Sequence, residues 1–257
     1  MVEALFPQGC VLVVGGSGGI GRHICLEFAQ AGTDVALTYN RNLDAADQVA
    51  GTIRAGGRNA TVHQLSVDNG PQIIETIAEV ERLHGRIHTI VYGAGPEVDQ
   101  LYISQYTVER WQKSIDLETT GFFRIVQASL GLFKRFGGGS YVHIGSVGHL
   151  RWPNKDGLSV IPKAATEALI TGIAKEEGRN GIRANSVLVG VIEAGMFHEL
   201  SRKGVFDKKW KDATKQLLAI KRFGKPEEVG QAAVFLASNK ADYITGQKIS
   251  VAGGYGL

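Results

Sequence analysis

The chain has few of the residues that staple, anchor or target proteins. Two of its 257 residues are cysteines, Cys10 and Cys25. Both fall in the first strand–helix unit, where each reads as a small buried hydrophobe in a reducing cytoplasm. No apolar run approaches the length of a membrane span. The opening M-V-E-A-L-F-P-Q-G lacks the basic-then-apolar pattern of a secretory signal, so a cytoplasmic protein without a membrane partner is expected. A net charge of +3 is too small to argue for nucleic acid, and no metal site is expected. What remains is 44% hydrophobic and 21% charged, an ordinary globular composition of a length that suits one α/β domain over 1–257.

Glycine, by contrast, is concentrated where it carries information. Val11 to Arg22 reads V-L-V-V-G-G-S-G-G-I-G-R. The four apolar residues suit a parallel strand covered on both faces. Gly15, Gly16, Gly18, Gly19 and Gly21 then remove side chains where backbone must approach a pyrophosphate and a helix must pack close. The next stretch has helical spacing at Ile20, Ile24 and Phe28, with Gly32 as its stop. Strand, glycine turn and helix N-terminus together form an anion site of free N–H groups and helix dipole, with Ser17 and Ile20 in the cradle.

The rest of the chain alternates in the same way. Strands are expected at 35–39, 61–67, 87–92, 140–146, 182–189 and 247–252. Between them lie helices at 44–55, Pro71 to about His84, about 107–136 and about 160–177, then helical material to about 237. Regular alternation means right-handed parallel crossovers and a doubly wound Rossmann-type sheet flanked by helices. Ligands on such a sheet bind beyond the carboxyl ends of the strands, so the segments just after each strand carry the chemistry.

After the second strand comes Tyr39-Asn40-Arg41, with no acid until Asp44. A carboxylate there would take the adenosine ribose hydroxyls and favour NAD. Arg41 suits a 2′-phosphate instead, with Asn40 beside it, and this points to NADP(H). The plainer reading of Arg41 is a solvated loop charge.

With these pieces placed, the chain resembles the short-chain dehydrogenase/reductase family from end to end. The resemblance rests on V-G-G-S-G-G-I-G, I-V-Y-G-A-G, I-G-S-V, P-K-A-A, G-I-R-A-N-S-V and the C-terminal R-F-G-K-P-E-E-V-G…F-L-A-S…Y-I-T-G-Q…G-G. It implies one nicotinamide-binding domain and a homotetramer or homodimer. Ser66 and Val67 fall at the adenine position, Gly93, Ala94 and Gly95 after the fourth strand, and Gly190 to Ile192 beside the nicotinamide. The family's chemistry rests on Asn, Ser, Tyr and Lys. Ser146 matches the serine, and Lys163 the lysine that also holds the nicotinamide ribose. The tyrosine position is Ser159 and the asparagine position is Glu118. The family's paired asparagines before A-G are Tyr92-Gly93, and its adenine-site aspartate is Ser66.

A serine does not replace that tyrosine chemically. A phenol near ~10 can be pulled toward working pH by an ammonium, whereas an aliphatic hydroxyl lies several units higher. Three explanations stand side by side. The reaction can be one that needs no strong acid there, such as hydride delivery to a conjugated C=C; relatives resembling 2,4-dienoyl-thioester reductases also carry Ser-x-x-x-Lys. A replacement acid can act, with Asp156, His149 and Glu118 as candidates. Or the chain binds NADP(H) without turnover, as a subunit or sensor. Each residue also has a plainer role: Ser159 as a helix N-cap before Pro162, Glu118 as an ion-paired carboxylate at a helix bend, His149 and Asp156 as solvated loop residues.

The expected substrate lid is 193–220, with Met196, Phe197, Leu200, Val205, Phe206, Trp210, Leu217 and Leu218 as an apolar cover. Eight Lys/Arg against two Asp between Arg202 and Arg222 read either as a solvated face or as steering for an anionic, thioester-linked substrate. Trp152, Tyr102 and Tyr106 are candidates to line the same pocket. The substrate expected is small and apolar or thioester-linked.

Overall fold

The computed structural model describes residues 4–95 and 99–257. Its seven strands form one parallel sheet in the order β3-β2-β1-β4-β5-β6-β7. These are β1 (Cys10–Val14), β2 (Asp34–Tyr39), β3 (Ala60–Gln64), β4 (Ile87–Tyr92), β5 (Gly139–Ser146), β6 (Ile182–Val189) and β7 (Lys248–Val251). The order reverses between β1 and β4, so their carboxyl ends diverge into a crevice at the switch point.

Strand alternation sorts the core into two layers. Val11, Val13, Val35 and Leu37 face one side, where α1 (Gly21–Gln30), α2 (Leu43–Ala55) and α9 (Pro226–Ala237) pack. Leu12, Val14, Ile90 and Tyr92 face the other, against α3 (Gly70–His84), α5 (Gly121–Arg135) and α6 (Gly157–Glu177). Cys10 and Cys25 are free and fully buried, one in each layer.

Three elements differ from the pattern read in the sequence. The helix expected over 107–136 is two helices, α4 (Val108–Ile115) and α5, joined by a π turn at Asp116–Thr120. Tyr92 explains the break. From the end of β4 its hydroxyl donates to the Leu117 carbonyl at 2.5 Å. A Cβ on Gly121 would stand 2.5 Å from that hydroxyl, so glycine makes room for the contact. The third strand stops at Gln64 rather than 67, leaving Ser66 and Val67 in the loop toward α3.

Helix α6 begins three residues early, which places Asp156 at the N-cap and Ser159 inside the first turn. Ser159 is therefore not the cap. Pro162 lies deeper in the helix than a first-turn proline and has no N–H for the Leu158 carbonyl. Ser114 of α4 donates its hydroxyl to that carbonyl instead. Thr119 and Thr166 donate to the Pro162 carbonyl at 2.9 and 3.0 Å. The proline costs the helix a bond, and the neighbouring hydroxyls restore the pairing.

The segment after β6 folds as α7 (Met196–Arg202) and α8 (Lys208–Gln216). It forms a small apolar cluster of its own around Phe197, Leu218 and Phe223. Phe206 stacks on Trp210 at 3.7 Å between ring centroids. No helix among the described residues is long and apolar enough to cross a membrane.

Candidate active site

The crevice at the β1/β4 switch point is shaped by backbone. Gly15 takes φ +83 and donates its N–H to the Thr38 hydroxyl at 3.0 Å. A Cβ on Gly21 would fall 2.1 Å from the Gly15 carbonyl oxygen, and one on Gly19 would fall 2.3 Å from the Gly195 nitrogen. The first contact seats α1 against the end of β1; the second closes the base of the lid segment onto the glycine turn. Helix α1 has no side-chain cap, whereas Asn42 and Asn69 cap α2 and α3. The Arg22 and His23 N–H groups of its first turn donate to the Gly18 and Ile20 carbonyls, each at 3.0 Å, so the glycine turn itself closes the start of the helix.

The remaining cofactor candidates ring the same crevice. Asn40 and Arg41 follow β2, both exposed, and Arg41 has no ion-pair partner among the described residues. Ser66 donates its hydroxyl to Asp68 at 2.5 Å, and Val67 is buried beneath it. Gly93 donates to the Val14 carbonyl at 3.0 Å, holding the ends of β4 and β1 together. Ala94 and Gly95 continue from there, and a Cβ on Gly95 would stand 3.0 Å from Glu118 Oε2 and 3.6 Å from Lys163 Nζ. Gly190 donates to Val251 at 3.1 Å. Ile192 turns its side chain into the core. These residues fit a dinucleotide: the glycines leave room for it, the helix N-terminus is uncapped, and a guanidinium is free at the end of β2.

On the catalytic side the π turn directs Glu118 inward. The residue is 1% exposed. One carboxylate oxygen takes the Lys163 ammonium at 2.5 Å, and the other takes His143 Nε2 at 3.0 Å. Burial opposes its ionisation. The Lys163 charge and the hydrogen bond from His143 outweigh that and hold the carboxyl below its ordinary range. His143, on β5 and fully buried, is pushed below its usual range by desolvation. A neutral imidazole then donates from Nε2 to Glu118, while Nδ1 lies 3.5 Å from the Ser186 hydroxyl. The carboxylate is thus shut from water with both oxygens engaged, while the Lys163 side chain keeps partial exposure, which lowers the desolvation the pair must repay.

Ser146 ends β5, and its hydroxyl accepts the Gly148 N–H at 3.0 Å. Ser159 lies one helical turn before Lys163, partly exposed, on the same face of α6. His149 donates Nδ1–H to the Ser146 carbonyl at 2.9 Å and sets Nε2 3.4 Å from Glu167 Oε2. Lys248 of β7 reaches the same oxygen at 3.2 Å. Glu167 is 1% exposed, and a Cβ on Gly145 would fall 2.8 Å from its Oε1. The glycine of I-G-S-V therefore makes space for a carboxylate.

Asp156 behaves differently from both glutamates. Its carboxylate makes no cap bond to α6; the Tyr106 hydroxyl lies against the Gly157 and Leu158 amides in its place. The Gln100 amide reaches it at 3.5 Å. Burial raises its pKa to about 6, with Gln100 and Lys163 pulling the other way.

Sequence reading named Glu118, Ser146, Ser159, Lys163 and Asp156, and the fold brings all five to one end of the crevice. It missed His143 and Glu167, which carry no motif; the only sequence signal was a histidine and a glutamate at positions that face the core. Tyr102, Tyr106 and Trp152 meet one another, lining a groove of about 290 Å³ with Lys155, but no residue of the 193–220 segment lines it with them. The basic lid segment is less charged than its composition suggested. Lys208 pairs with Asp212, and Arg222 pairs with Glu228 outside the segment.

A family model described as enoyl-(acyl carrier protein) reductase matches residues 15–256. Sorbose reductase sou1 of Schizosaccharomyces pombe is 34% identical over 247 residues, 95% of this chain and 94% of that protein. The 3-oxoacyl-(acyl-carrier-protein) reductase FabG of Staphylococcus epidermidis is 34% identical over 244 residues, covering 95% and 97%. A short-chain dehydrogenase/reductase from Serratia marcescens superposes with a TM-score of 0.88 at 25% identity, over 99% of this chain and all of that one. A second, from Mycobacterium ulcerans, gives 0.91 at 26% identity over 98% and 91%. The parallel sheet and its strand order agree with these matches, and the chain belongs to the short-chain dehydrogenase/reductase family of oxidoreductases.

Proposed function

We propose that the protein is an NADPH-dependent reductase of a small, apolar conjugated carbonyl compound, an enone or enoyl thioester, and that it reduces the C=C bond. The observation that carries this reading is Ser159. At the position one turn before Lys163, this chain offers a neutral hydroxyl where carbonyl reduction needs an acid. Hydride transfer to a conjugated C=C asks only for hydrogen bonds that spread charge onto the carbonyl oxygen, and the proton can follow it.

When bound, NADPH supplies the hydride. Ser17, Gly18, Gly19 and Ile20 receive the pyrophosphate, Asn40 and Arg41 the 2′-phosphate, and Ser66 and Val67 flank the adenine. Gly93 to Gly95, Gly190 and Ile192 border the nicotinamide. Lys163, fixed by Glu118, holds the nicotinamide ribose, while Ser146 and Ser159 donate to the substrate oxygen. Helices α7 and α8 cover the apolar substrate and exclude water. Two buried free thiols suit a cytoplasmic enzyme. The exposed edge strand β7, with Phe235 and Tyr243 beside it exposed, suits a homotetramer or homodimer.

Carbonyl reduction is the second reading, favoured by the names of the sorbose and 3-oxoacyl reductases. NADPH oxidation measured with benzylideneacetone, crotonyl-CoA and the saturated ketone benzylacetone separates the two. The proposal expects turnover with the first two and the saturated ketone left untouched. NADPH binding without any turnover overturns it and points to a non-catalytic NADP(H)-binding subunit or sensor. Arg41→Ala is expected to raise the Kd for NADPH about 10-fold, the loss of one charge-assisted contact, and to leave NADH binding unchanged. Equal effects on both cofactors would remove the 2′-phosphate assignment.

A further inference from the structure

The reduction of an enone or enoyl thioester still requires a proton, and Ser159 has none to give at working pH. The sequence offers three acids to replace the family's tyrosine: Glu118, His149 and Asp156. The geometry separates them. Both oxygens of Glu118 are engaged, one by Lys163 and one by His143, and the carboxylate is shut away from solvent. His149 spends one nitrogen on the Ser146 carbonyl and turns the other toward Glu167. Each of the two holds a piece of the site in place.

Asp156 is left. As an aspartate at a helix N-cap, its carboxylate would ordinarily accept the first-turn N–H groups and stay ionised. Here the Tyr106 hydroxyl stands at the Gly157 and Leu158 amides. The Asp156 carboxyl is thereby released from the helix and meets the Gln100 side chain from the loop after β4. Its charge is felt by Lys163 on α6, by Tyr106, and by Tyr255 of the C-terminal turn. Ser159 is three residues on, and its N–H donates to the Asp156 carbonyl at 3.0 Å, so the two side chains leave the same first turn. The other cations of the loop turn to aromatic rings: Lys155 stands over Tyr102 at 4.9 Å, and Arg151 over Tyr255 at 5.4 Å.

We propose that Asp156 is the catalytic acid of this enzyme, giving its carboxyl proton to the substrate oxygen that Ser159 holds. The assignment rests on the reductase reading above. Hydride from the dihydronicotinamide forms the new C–H bond at the β-carbon. The C=C π pair moves toward the carbonyl, and the oxygen gains negative charge. The Asp156 O–H bond breaks as the substrate O–H bond forms, directly or through the Ser159 hydroxyl. The resulting enol tautomerises to the saturated carbonyl compound in water, and solvent returns a proton to the Asp156 carboxylate. Burial keeps a fraction of this carboxyl protonated near neutrality, since it raises the group to about 6; Gln100 and Lys163 are the groups that oppose this.

The test compares wild type, Asp156→Asn and Asp156→Glu with benzylideneacetone and crotonyl-CoA across pH. NADPH affinity is followed by fluorescence, and the Asp156 carboxyl is titrated by carbon-13 NMR. In the wild type kcat/KM should fall as pH rises through about 6, and the carboxyl should titrate in the same range. Asp156→Asn should lose about 100-fold or more in kcat and lose that pH limb, with its Kd for NADPH unchanged. Asp156→Glu should keep the limb and part of the rate, which also covers the case of an asparagine variant that fails to fold. An active wild type whose rate and pH profile survive Asp156→Asn overturns the acid, as does a carboxyl that titrates near the ordinary ~4. A wild type that binds NADPH but reduces neither compound overturns the reductase reading itself, whatever the NMR titration gives.

Discussion

The two sides of the crevice are built on different principles. The cofactor side, from β1 to β3, is made of backbone: glycines within a few residues of one another let chain approach chain, and one helix N-terminus is left uncapped. The catalytic side, from β4 to α6, is made of side chains far apart in sequence. Tyr92 of β4 pins the π turn, the π turn aims Glu118, His143 of β5 receives it, and Lys163 of α6 completes the pair. Tyr92 and Glu118 are connected to each other through the Leu117–Glu118 backbone, and Glu118 to Lys163. On the backbone side, Gly15, Gly19 and Gly21 leave no room for an added atom. The side-chain side tolerates no lost partner.

Breaking that second side should have the larger effect. Glu118→Gln leaves the Lys163 ammonium, whose side chain is 18% exposed, without a counter-charge. The expected loss of stability is about 3 kcal/mol, read by urea unfolding. Because the native Glu118 carboxyl lies below its ordinary range, its contribution is fully present above the unfolded value of ~4.3. It disappears as pH falls through the native value. Wild-type stability should thus fall toward the variant's in acid, and a gap between them that is constant down to strongly acid pH would argue against the pair.

On the backbone side, Gly21→Val places atoms against the Gly15 carbonyl and is expected to weaken NADPH binding about 100-fold. Gly51→Ala, in the middle of α2 with open space around it, should leave binding unchanged and add up to about 1 kcal/mol of stability. Equal binding in the two variants would show that the glycine turn does not shape the cofactor site. The smallest effect is expected at the junction of the two sides. Ser114→Ala leaves the Leu158 carbonyl without the donor that replaces the Pro162 N–H, at a cost of about 1–2 kcal/mol by thermal melting. The change should vanish in a Pro162→Ala background, where the helix supplies its own bond.

Strand–helix alternation was legible because each element carries its period in a short window, and the glycine turn because its steric reason is local. Ser146 and Lys163 were visible for the same reason, through motifs of adjacent residues. The break at Asp116–Thr120 was not. Residues 107–136 have a continuous helical pattern, and the π turn exists because Tyr92, remote in sequence, takes the Leu117 carbonyl. The start of α6 was misplaced because Pro162 looks like a first-turn proline when Ser114, Thr119 and Thr166 are unseen. His143 and Glu167 read as ordinary strand and helix residues until the fold closes around them.

The sequence by itself determined a Rossmann-type sheet, a dinucleotide crevice and membership of an oxidoreductase family, since periodicity and glycine sterics act over a few residues. It also placed a serine, Ser159, four residues before Lys163. Only the tertiary structure decided what each acid near that serine does. Glu118 and Asp156 are both carboxylic acids whose ionisation Lys163 favours. One is ionised by two partners that the fold brings to it, and the other is held near neutrality by burial without them. Solvation and partnership set a carboxyl's charge, and both belong to the folded chain.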